Sequence, residues 1–189
     1  MALTTPASAP LLTTDQARQQ CRVDGEDEDV LLDAYVSAAT RTVEERSGRK
    51  LLPQTWQATW CAPPFGDILQ FPIGPVLSVE AITYYDVDNV EQTFGAANYR
   101  LLKDDESAWI ETVSGVDWPR VYDRSDAFSV SFVAGYGAAS AVPVELVQAA
   151  RLLVAHWYEN RENSAVAMHE MTDGASSLIN LSRKGWAAG

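Results

Sequence analysis

The sequence predicts an α+β fold: an α-helical bundle body of three main helices, an inserted antiparallel β-strand region, and an extended C-terminal arm. Three observations carry this. Apolar residues recur every three or four positions on both flanks of the chain, whereas from Leu51 they alternate with polar ones. Pro63-Pro64, Pro72, Gly74-Pro75 and Trp118-Pro119 punctuate the middle at a density that suits edge strands and loops, not a long parallel sheet. After Glu162 the helical period weakens and does not return.

The first helix is expected over about residues 14–22. Thr13 can cap the amide of Gln16 while the Gln16 side chain reaches back, and Leu12 can staple against Ala17. Asp24-Gly25 breaks it. The second helix follows an acidic run, Asp24, Glu26, Asp27, Glu28, Asp29 and Asp33, read as a solvated start that places negative charge at the positive helix end. Leu31, Ala34, Tyr35, Ala38, Thr42 and Val43 give it a helical stripe, and Gly48 ends it as a left-handed cap.

Strands are expected where Trp56, Ala58 and Trp60 alternate with Thr55, Gln57 and Thr59, and again from Ser78 to Tyr85. Asp88-Asn89 reads as a hairpin turn into Val90 to Phe94. Further strands fit Tyr99 to Leu102, Ala108 to Glu111 and Phe128 to Ala134. Gly135-Tyr136-Gly137 closes the region, and Pro143 suits the first position of a third helix striped by Leu146, Ala150, Leu153 and Trp157. The boundaries expected are an N-terminal arm at 1–12, a helical body at 13–50 and 140–162, the β insert at 51–139 and the C-terminal arm at 163–189.

The chain has 189 residues, 47% of them apolar and 21% charged, which is the composition of a folded protein with a real core. Its net charge of -12 opposes condensation onto a polyphosphate backbone, so tight nucleic-acid binding is not expected. No window approaches a membrane span, and Met1 to Pro10 lacks the regions of a signal peptide, so no membrane partner is expected. Cys21 and Cys61 are too few for a disulfide scaffold or zinc site, and both sit in stretches that suit a buried thiol.

No enzymatic constellation is recognisable, and none is expected. His156 lies beside Trp157 in a helix, where packing explains it; His169 has no carboxylate spacing of a metal motif around it. Gly135-Tyr136-Gly137 lacks the Lys-Ser/Thr of a phosphate loop and the third Gly of a dinucleotide fingerprint. No cofactor or metal is expected. The small face Ala34, Ala38, Ala39 allows close approach of another helix, and Trp157, Tyr158 and Arg161 combine a large anchor with an ion able to pair across a partner surface. These six residues are the candidate subunit interface.

The order of these features resembles the head-tail connector (adaptor) proteins of long-tailed bacteriophages and phage-derived gene transfer agents. The matching strings are TTDQARQQCRVD from Thr13, DEDVLLDAYVSAATRTVEERSGRKLLPQTW from Asp27 to Trp56, SVEAITYYDVDN from Ser78, FSVSFVAGY from Phe128, and VPVELVQAARLLVAHWYENRE from Val142 to Glu162. Together they cover most of residues 11–162. The sequence departs from the family pattern at Met171-Thr172-Asp173-Gly174-Ala175, where a Leu-Pro string followed by a turn is more usual; SLINLSR from Ser177 to Arg183 resembles the family's terminal apolar motif.

The resemblance implies a structural virion protein forming a twelvefold ring beneath the portal, around a channel through which DNA passes without specific binding. Its partners would be further copies of itself, the portal protein and a stopper or tail-completion protein. Its place would be the virion neck, with assembly in the host cytoplasm. Leu178, Ile179, Leu181, Arg183 and Trp186 are the residues expected to dock on the portal, from an arm disordered in the free subunit. A stopper or tail-completion protein is the alternative in the same class, and a stand-alone sugar- or peptide-binding module the alternative in another.

Overall fold

Thr13 is extended and accepts the Gln16 amide at 3.2 Å while the Gln16 side chain accepts the Thr13 amide at 3.0 Å, so the expected capping box opens helix α1, Thr14–Cys21. It ends within the expected bounds of about 14–22, at Arg22, which takes the left-handed conformation (φ 55°). These coordinates are a computed structural model, which describes residues 1–104, 107–161 and 173–182. Among them are four α-helices and eight strands, arranged in two units.

The helical unit comprises Ala9–Leu52 and the described residues from Gly137 onward. Helix α2, Asp29–Ser47, buries Leu32, Val36, Ala39 and Val43 at spacings of four, three and four, and stops at Gly48 (φ 71°), whose amide returns to the Glu44 carbonyl at 3.0 Å. The buried Glu44 carboxylate then accepts the Leu51 amide at 2.9 Å and Lys50 Nζ at 3.2 Å, fixing the exit from the helix. Helix α3, Val144–Glu159, follows Pro143 and buries Leu146, Ala149, Ala150, Leu153 and Val154. It packs on α1 and α2.

A fourth helix departs from the extended arm read in the sequence. Helix α4, Asp173–Ser182, packs on α3 and α2 and buries Ala175 and Ile179. Its last turn is held where Arg49 Nε donates to the Ser182 carbonyl at 3.2 Å and the Ser182 hydroxyl donates to Glu145 Oε1 at 3.0 Å.

The β unit comprises Met1–Ser8 and Pro53–Tyr136. Its strands are β1 (Ala2–Thr5), β2 (Gln54–Trp60), β3 (Ile68–Gln70), β4 (Val76–Tyr85), β5 (Glu91–Thr93), β6 (Tyr99–Lys103), β7 (Ala108–Thr112) and β8 (Phe128–Ala134). One antiparallel sheet runs β1-β2-β8-β4-β5, the other β3-β7-β6. Inward residues of both, among them Ala58, Ile82, Val130 and Phe132 from the first and Leu69 and Ile110 from the second, share one core. Residues 2–5, read as part of an arm, instead form the edge strand on β2. Cys61, expected to be buried, is exposed in the loop after β2, and Cys21 is half-buried.

Candidate functional site

The surfaces available for assembly follow from which side chains each unit leaves outside. On α2 the inward stripe forces Val30, Ala34 and Ala38, spaced four apart, onto the opposite side, and all three are exposed, Val30 at 86%. Ala39, grouped with them in the sequence reading, is 0% exposed and belongs to the unit's own core. One residue of helical rotation, about 100°, separates the two environments.

Trp157, Tyr158 and Arg161 come together, but around partners in the same chain. Trp157 meets Tyr35 of α2 with ring centroids 6.3 Å apart. The Tyr158 hydroxyl donates to Glu28 Oε2, Arg161 Nη2 lies 2.6 Å from Glu28 Oε1, and the guanidinium sits 4.3 Å from the Tyr158 ring centroid. The Tyr158 and Arg161 hydrogen bonds hold the Glu28 carboxyl below its usual range, and the bond that Tyr158 donates to Glu28 raises the tyrosine. A second clasp joins α1 to α2, where Arg18 grips Asp29 through two nitrogens and reaches Asp15 at 2.9 Å. That bond from Arg18 lowers the Asp29 carboxyl. Thr14 donates to Asp33 at 2.8 Å. The acidic run is therefore not merely a solvated helix start: Glu28, Asp29 and Asp33 tie α2 to its neighbours.

On α4, Ile179 is 2% exposed, Leu178 half-buried and Leu181 75% exposed. The five residues expected to dock on the portal are thus split: Ile179 faces the helical unit, Leu181 faces outward, and Arg183 and Trp186 lie outside the described residues. Among the described residues no group of three His, Cys, Asp or Glu is placed to hold a metal ion, and no helix is long and apolar enough to cross a membrane.

The family profile of the phage gp6-like head-tail connector protein matches residues 12–95. Solved structures extend that match to the whole chain. A chain in the neck of an empty gene transfer agent (GTA) particle, computed with C6 symmetry, is 30% identical with a TM-score of 0.80, covering 100% of this chain and 98% of that one. The chain belongs to the head-tail connector family. A chain in the virion of a native GTA particle matches this connector at 31% identity and TM-score 0.80, and one in the native GTA neck computed with C12 symmetry at 30% and 0.78, each with the same coverage. No curated protein sequence matches it.

The connector's β unit carries a surface the sequence reading did not single out. Pairing places Leu102 opposite Trp109, and both Ile68 and Arg100 opposite Glu111, all on the face of the three-stranded sheet away from Leu69, Leu101 and Ile110. The signal was present: within Ala108 to Glu111, a period of two puts Trp109 on the side opposite Ile110.

Proposed function

We propose that the connector acts as the ring that joins a DNA-filled head to its tail, twelve copies surrounding the channel beneath the portal. The observation that supports this most is the full-length match, at 30–31% identity, to chains of GTA necks and virions, two of the three described with sixfold or twelvefold symmetry. A structural role in the virion neck follows from the family, which speaks against a stand-alone sugar- or peptide-binding module. Finer assignments are part of the proposal. The portal sits on one side and a stopper or tail-completion protein on the other.

Subunit contacts use the exposed Ala34 and Ala38, with Trp157, Tyr158 and Arg161 at the helix end. Leu178 and Leu181, followed by Arg183 and Trp186, supply the portal-facing apolar segment. DNA passes without specific binding because a chain of net charge -12 repels it. The test is a producer strain lacking the chain, imaged by electron microscopy. Filled heads and separate tails should accumulate and rejoin when purified connector is added; tailed particles formed without it would overturn the proposal.

A further inference from the structure

We infer that the outer face of the β3-β7-β6 sheet, with the loop tip at Phe65, is a contact surface for a second copy of the same chain. This rests on the ring proposed above and adds a second contact to those of the helical unit. Strands of a half-solvated sheet normally present polar residues outward. Here the outward positions instead carry Ile68, Trp109 and Leu102, with Gln70, Arg100 and Glu111 between them. Ile68 is 48% exposed. Leu102 and Trp109 are half-buried, and none of the three apolar residues joins the unit's core. The loop leading into β3 holds Phe65 fully exposed behind Pro63-Pro64. Apolar side chains grouped in this way mark an interaction surface.

Charge selects the occupant. The β unit contains twelve Asp+Glu against four Lys+Arg, so -8 of the chain's -12 lies there. Two such units repel over most of their surfaces. On the outer sheet face Arg100 stands directly across from Glu111, and the outward residues named above sum to zero charge. A basic partner would gain most by docking on the acidic surface elsewhere; a second, equally acidic copy is best accommodated where the charge is balanced. A cyclic ring also requires two unlike faces on each subunit, and a sheet face meeting a different surface of the next copy satisfies that.

The test places the photo-crosslinker benzoyl-phenylalanine at position 109 and, separately, at position 65, in connector incorporated into particles. Position 65 is a fully exposed loop tip, so substitution there leaves the fold intact. The expected product is an adduct of twice the chain's mass whose joined peptides both come from this chain. Adducts with another virion protein, or none at either position, overturn the inference while leaving the connector reading standing. A chain absent from the neck of purified particles overturns both.

Discussion

Replacing Ile179 with Ala should release α4 from the helical unit while leaving α1, α2 and α3 folded. At ten residues α4 is shorter than the roughly 12–15 at which isolated helices become even marginal in water, so its order depends on docking. Ile179 and Ala175 are its buried anchors, and Ile179 is much the larger. Truncating a buried Ile to Ala costs about 2–5 kcal/mol. With tenfold per ~1.4 kcal/mol, amide protection across 175–182 should fall by about 30-fold or more.

Hydrogen exchange followed by mass spectrometry reads this peptide by peptide, with α3 as the internal reference. Gly174→Ala should move α4 the other way. A Cβ there would lie 3.6 Å from Leu152 Cδ1, an ordinary contact, and exchanging a helical Gly for Ala gains about 0.5–1 kcal/mol, or a two- to fivefold rise in protection. Unchanged protection of α4 in Ile179→Ala would refute the reasoning. So would equal loss throughout α2 and α3, which would make α4 an inseparable part of the core.

Other outcomes follow from the same structure. Ala38→Leu changes an exposed position, so the melting behaviour of the free subunit should stay within the roughly 0.5 kcal/mol typical of surface substitutions while its incorporation into particles, followed by mass spectrometry of the purified particles, is lost. Glu28 and Asp29 both titrate below their ordinary values when folded, so their stabilisation is complete above about pH 4.5 and disappears as pH falls through the depressed values. Urea midpoints should therefore drop between pH 6 and pH 3, and Glu28→Gln should show a smaller drop; an identical profile would exclude the clasp as the source. Duplex DNA should show no binding at physiological salt, and an affinity with the steep salt slope of phosphate contacts would count against passive passage.

What was legible in the sequence was what local chemistry decides. The capping box at Thr13, the glycine stop at Gly48 and the alternation through β2, β4 and β8 each need only neighbours within a few residues. Strand β1 was missed because Ala2–Thr5 has four exposed residues and no alternation; only pairing with β2 makes it a strand. Helix α4 was missed because its apolar positions, Ala175, Leu178 and Ile179, repeat only once, among Gly174, Ser176, Ser177 and Asn180, which are weak helix formers. The clasp of Glu28 by Tyr158 joins residues 130 apart, a relation no periodicity encodes. Ala39 shows the limit on a single helix, since a stripe of small residues does not reveal which of its members the core will take.

The outer sheet face also bears on how a ring of this subunit can form. Three strands at ~4.8 Å spacing and about five residues at ~3.3 Å rise cover roughly 240 Å², well under the ~800 Å² per partner of a stable binary interface. Even if that area were wholly apolar, burying it at ~25 cal/mol per Å² would yield about 6 kcal/mol, comparable with the 4–15 kcal/mol lost when two bodies associate. Two subunits meeting through this face alone would not stay together. In a closed ring each subunit is held on two sides, and once a template fixes the first copies the next contact forms at high effective concentration. The balanced charge at Arg100 and Glu111 thus permits the approach without making it strong. Assembly is thereby confined to the place where a template gathers the copies, so the free protein should remain monomeric at concentrations where the particle already carries a complete ring.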